Sequence, residues 1–145
     1  MADFDTAAAE VRSHFKTQWE LSHTEPIADD NDPTYTPPTD DWGVPNITWL
    51  RHLIEPADYD QISMGADAGG SYKDEFTSII QFFVPLGASI PAAETLVSDA
   101  QIIMRGKSLT NVTLGSPLPV RVGVIEDDIW FQFNLETLAT NFTSV

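Results

Sequence analysis

The sequence predicts an α+β fold, a mainly antiparallel β-sheet with two α-helices packed on one face, a long acidic loop and a Gly-rich hairpin. Three observations predict it. Apolar residues recur at helical spacing in two segments, 4–19 and 91–105. Several other segments alternate or concentrate β-branched and aromatic residues. The order helix, strands, helix, strands keeps strands consecutive, so hairpins rather than crossovers join them.

In the first helix, Phe4, Ala7, Ala8, Val11, Phe15 and Trp19 fall on one face. Asp3 or Asp5 caps its start, and Lys16 near its end suits the helix dipole. Residues 25–46 then hold five of the ten prolines and six carboxylates, with no Lys or Arg. Proline fixes φ and removes donors, so the segment reads as an extended loop after a short Pro26-Ile27-Ala28 strand. Tyr35 and Trp42 lie along it, docked either on a partner or on the domain's own core.

Asn46–Ile54 reads as a strand with Ile47, Trp49 and Leu53 on one side and Thr48, Leu50 and Ile54 on the other. Pro56 is expected to end it, and Tyr59–Met64 to form a separate weaker strand. Gly65–Ser71 reads as a hairpin tip, with Asp74–Val84 rejoining the sheet and Pro85 and Gly87 stopping it. The second helix has Pro91 at its start, a stripe of Ala93, Leu96, Val97, Ala100, Ile103 and Met104, and Gly106 as its stop. A short strand at Asn111–Leu114 follows. Pro119–Glu126 and Ile129–Leu138 flank Asp127-Asp128 as a hairpin, with Ile129, Phe131, Phe133 and Leu135 on a buried face.

A length of 145 residues argues for a single domain over 1–145. Acidic residues number 22 against seven Lys and Arg, a formal charge of −15, which excludes nucleic-acid binding through a broad basic face and disfavours an anionic membrane. Without cysteine there is no disulfide, thiolate metal site or cysteine nucleophile, and a reducing compartment is suited. The acidic start, Met1-Ala2-Asp3-Phe4-Asp5, lacks the features of a signal peptide, and no apolar run is long enough to span a bilayer. A chain made in the cytosol is the expectation.

No motif carries chemistry. Asp29-Asp30-Asn31-Asp32 suggests a calcium loop, but counting from Asp30 puts Tyr35 where an EF-hand requires Gly. His14, His23 and His52 share no metal-ligand spacing, and His23-Thr24-Glu25 lacks the cysteines of a zinc deaminase. Phosphate-loop, dinucleotide and nucleophile-elbow motifs are absent, and the three N-x-[ST] sequons have no secretion signal to give them meaning. The expectation is a non-enzyme with no catalytic residues, cofactor or metal.

One arrangement is nevertheless distinctive. A helix ends at Trp19, and Glu25-Pro26-Ile27-Ala28-Asp29-Asp30-Asn31, Pro37-Pro38 and Trp49-Leu50-Arg51 follow. Next come the Gly-rich hairpin, Phe82-Phe83-Val84-Pro85-Leu86-Gly87, an Ala-rich helix and a strand around Trp130-Phe131-Gln132. This order resembles the tail terminator proteins of long-tailed, non-contractile bacteriophages and related prophages. The chain departs from that pattern at Asp74-Glu75, where Gly is expected, and in its longer acidic loop.

The resemblance implies a virion protein, made in the host bacterial cytoplasm and placed at the head–tail junction. There a ring, usually a homohexamer, caps the tail tube, stops polymerisation of the tail tube protein and meets the head connector or stopper protein. DNA passes through the lumen without specific binding, and no membrane is involved. Subunit-interface candidates are Arg51, Lys73, Asp74, Arg121, Tyr35 and Trp42, the arginines by pairing with a neighbour's carboxylate. Candidates for charge that repels DNA from the bore are Asp29, Asp30, Asp32, Asp40, Asp41, Asp127 and Asp128. Two rivals stay open. One is a neighbouring head-closure or minor tail protein, and the other a monomeric domain whose acidic loop binds a cation or a basic ligand.

Overall fold

Helix α1 (Phe4–Glu20) buries Ala7, Ala8, Val11, Phe15 and Trp19, the stripe its periodicity predicts. In this computed structural model the described residues are 4–30, 35, 37, 47–61, 71–125 and 130–144. The carboxylate of Asp5 accepts the Thr6 N–H at 2.8 Å as the helix begins. Two residues past Glu20 the chain turns back, and β1 (Ile27–Ala28) pairs in parallel with the start of β2 (Trp49–Gln61).

Strand β2 pairs antiparallel with β3 (Ser71–Pro85), and β3 with β6 (Trp130–Ser144). Helix α2 (Ile90–Met104) lies between β3 and the short β4 (Thr113–Leu114), and β5 (Leu118–Val124) follows. Both β4 and β5 pair with the far edge of β6, giving the sheet order β1-β2-β3-β6-β4. Ser89 caps α2, its hydroxyl accepting the Ala92 N–H, and Pro91 occupies the first turn, where no donor is required.

Strand alternation divides the sheet into two faces. Leu50, Phe82 and Phe133 are cross-strand neighbours on one face, with Ile54, Phe76, Ile80, Leu135 and Ala139 beside them. Both helices contribute to the core on this face: Phe15 and Trp19 from α1, Val97, Ala100 and Met104 from α2. Each fully buried large side chain contributes roughly 1.5–3 kcal/mol by leaving water. Trp49, Arg51, Phe83, Gln81, Trp130 and Gln132 point to the opposite face.

The fold class is as predicted, but several boundaries differ. Pro56 does not end its strand, and there is no separate strand at Tyr59: β2 runs unbroken through both, with a register shift between Pro56 and Asp58. Proline is tolerated on an edge strand or beside a bulge, where its missing donor breaks no ladder bond. Beyond Arg51, β2 has no partner on its outer side among the described residues. The last strand continues past Leu138 to Ser144, because the Thr-rich end pairs with Ser71–Glu75 of β3. The predicted hairpin tip lies outside the described residues except for Ser71, as do Trp42, Asp32, Asp40, Asp41, Asp127 and Asp128.

Candidate functional site

The face of the sheet turned away from the helices carries the most unusual chemistry. Its centre is a second cluster of Ala28, Trp49, Phe83 and Trp130, packed by Tyr35 and Ile125. The rings of Trp49 and Phe83 stack at 4.2 Å, as their cross-strand register dictates. Trp130 meets Trp49 edge-on at 6.1 Å, and Tyr35 lies 4.9 Å from Trp49. Tyr35 thus docks on its own domain. Burial pushes its phenol pKa up, and the nearby positive charge of Arg51 opposes that rise.

Arg51 lies two residues along β2 from Trp49 and so on the same face. Its guanidinium carbon is 5.3 Å from the Trp49 ring and 5.7 Å from the Phe83 ring. A recess of about 520 Å³ opens beside it, walled by Gln81, Phe83, Gln132, Val122 and Val124. Two polar atoms on this face are enclosed without a hydrogen-bond partner, Trp49 Nε1 and Gln81 Oε1. Leu118, Val122, Val124 and Leu138 are exposed along or beside it. Apolar surface around an arginine is the composition of an interface centre.

The other predicted interface residues are not gathered here. Lys73 pairs with Glu75 at 2.8 Å, and Asp74 takes the opposite face of β3. Arg121 lies 5.0 Å from the Phe131 ring on the helix-bearing side, so the sheet separates the two arginines. Asp29 and Asp30 line a different recess of about 480 Å³ between α1, β1 and β2, together with Arg12, Lys16, Phe15 and His52. Asp30 meets Arg12 at 3.5 Å, which already supplies a counter-charge to the carboxylate a cation would use.

At the base of that recess His52 Nε2 lies 2.6 Å from Ser78 Oγ. A hydroxyl beside an imidazole is the raw material of nucleophilic catalysis. Here Ser78 has no exposed surface and His52 only 5%, so no reactant reaches the hydroxyl as it stands. Burial, and secondarily the charge of Arg12, lowers the His52 pKa to about 3 and keeps the ring neutral. His23 stacks on Trp19 at 3.9 Å and bridges Glu25 at 3.5 Å and Asp99 at 3.2 Å, linking the end of α1 to α2. Among the described residues no three His, Asp or Glu side chains converge as metal ligands, and no helix is long and apolar enough to cross a membrane.

Sequence reasoning singled out Arg51 and Tyr35, which the fold brings to one face, but not the Trp49–Phe83 platform or the His52–Ser78 bond. Both depend on cross-strand register. The available signal was the alternation that puts Trp49 with Arg51 on one side and His52 on the other.

These features define a class: a small α+β domain with helices packed on one sheet face and a second, buried aromatic cluster on the other, beside Arg51 and a few exposed apolar side chains. One solved chain that carries no functional name is similar to it, with a TM-score of 0.53 and 17% identity over 95% of this chain and 96% of that one. That likeness concerns the fold alone. No family model and no curated protein matches the chain.

Proposed function

We propose that this chain is a structural virion protein of the tail terminator type, which closes into a ring on the end of a phage tail tube and presents a surface to the head connector. The observation that carries the reading is the sheet face turned away from the helices, where Arg51 lies over the buried rings of Trp49 and Phe83 beside exposed Val122. Exposed apolar side chains beside an arginine suit a surface that another chain covers. The Pro26-Ile27-Ala28-Asp29-Asp30-Asn31 and Trp49-Leu50-Arg51 stretches, with the resemblance they carry, suggest the cover is a protein assembly.

On this reading the chain works by geometry and catalyses nothing. A head-to-tail interface whose rotation closes yields a ring rather than a fibre. Each subunit brings a formal −15, and the summed negative potential keeps passing DNA off the wall of the bore. Electron microscopy of tails assembled with and without the protein tests the reading. Omission is expected to give tubes of uncontrolled length that do not join heads. Tails that finish and join normally without it overturn the proposal.

A further inference from the structure

We infer that the recess beside Arg51 is a carboxylate socket for a second copy of this chain, an inference that rests on the ring reading and specifies its subunit contact. Arg51 makes no ion pair with a carboxylate among the described residues, although the chain holds 22 acidic residues against seven basic ones. Partners are plentiful, yet this guanidinium rests over aromatic rings instead. An arginine supported by ring faces is held in place while its N–H groups stay available to a planar acceptor. A carboxylate fits that fork with two parallel hydrogen bonds.

The surroundings point the same way. Trp49 Nε1, an N–H donor on the same face, is enclosed without a partner. Val122, about half exposed, gives the recess an apolar rim. The fitting occupant is a carboxylate carried beside apolar side chains.

Charge complementarity selects a second copy as its source. A copy of this chain carries a large excess of acidic residues, and the socket presents a cation that no carboxylate among the described residues pairs. In a closed head-to-tail ring each subunit gives one carboxylate and receives one, so every interface is alike.

Sedimentation of the full chain with and without tail tube protein tests the inference, using wild type, Arg51→Met and Arg51→Lys. Arg51→Met keeps the stem that packs on the rings and removes the fork. It should retain the wild-type unfolding midpoint and weaken ring formation at least about tenfold. Arg51→Lys keeps charge but not the bidentate geometry and should fall between the two. Should Arg51→Met unfold, Val122→Asp places a repelling charge on the exposed rim and should weaken ring formation similarly in a folded chain. Wild-type rings alongside equally tight rings from a folded Arg51→Met or Val122→Asp would overturn the socket and leave the ring reading standing. Wild type that stays monomeric with tube protein would overturn both. Loss of tube binding with self-association intact would assign the socket to the tube protein and overturn the second copy as occupant.

Discussion

His52 and Ser78 form a 2.6 Å hydrogen bond inside the helix-bearing face, diagonally across the β2–β3 pair. The bond holds an imidazole at 5% exposure against Phe15, whose ring meets it edge-on at 5.5 Å. Ser78→Ala removes the hydroxyl and leaves a buried ring nitrogen without a partner. The expected cost is about 1–3 kcal/mol of folding stability, measured by urea unfolding. An unchanged midpoint would mean that water replaces the hydroxyl.

The same imidazole makes stability depend on pH. Folding lowers the His52 pKa from 6.5 to about 3, through burial first and the charge of Arg12 second. Between those values the unfolded chain binds a proton that the folded chain refuses. Stability therefore rises with pH across this window. The contribution is complete above about pH 6.5 and is lost as pH falls towards 3, with a slope of at most about 1.4 kcal/mol per pH unit. Many carboxylates also titrate there, so the comparison is with His52→Gln. The stability difference between wild type and variant should shrink steadily from about pH 7 to about pH 4. A constant difference would contradict the assignment.

The carboxylate of Glu10 in α1 accepts two hydrogen bonds from Asn111, from its backbone N–H at 2.9 Å and its side-chain Nδ2 at 2.8 Å. These bonds tie the first helix to the loop before β4. Charge-assisted bonds of this kind are worth roughly 1.5–3 kcal/mol together with the unpaired amides their loss leaves behind. Glu10→Ala should destabilise by about that amount, and Glu10→Gln by less, since its amide keeps one acceptor. A double-mutant cycle with Asn111→Ala measures the coupling, and a coupling near zero would refute the tie.

The contrast between these contacts and the fold shows what the sequence made legible. Phe15 and Trp19 are placed by a repeat of 3.6 residues, and Leu50 and Ile54 by alternation, both local properties of the chain. Glu10 and Asn111 lie 101 positions apart, and nothing local records their meeting. The bond between His52 and Ser78 needs the register of β2 on β3, which no local pattern in either strand records. Pro56 misled for a related reason: its cost depends on whether its strand lies at an edge, a property of the assembled sheet. Arg51 was legible as a candidate because cations are scarce here, but its position over Trp49 and Phe83 was not.

Gly106 ends α2 with φ near +58°, and its N–H is donated to the Gly115 carbonyl at 3.1 Å. An added Cβ would meet nothing within 4 Å, so the whole penalty of a substitution is conformational. Gly106→Ala should cost about 1–2 kcal/mol, and Gly106→Asn less, because asparagine tolerates the left-handed region. Thermal unfolding of both variants ranks them, and equal midpoints for alanine and glycine would show that the chain end relaxes.

Tyr35 gives a spectroscopic view of Arg51. Burial raises the phenol pKa above 10, while the positive charge of Arg51 favours the phenolate and pulls it down. Removing that charge takes away only the lowering influence. In Arg51→Met the Tyr35 titration should therefore move to higher pH, read as the ultraviolet difference between each protein and its Tyr35→Phe partner. The shift should weaken in high salt, since part of the interaction passes through solvent. A Tyr35 titration that ignores Arg51→Met would mean that the guanidinium leaves the Trp49–Phe83 platform in solution, and this face would then lack its fixed cation.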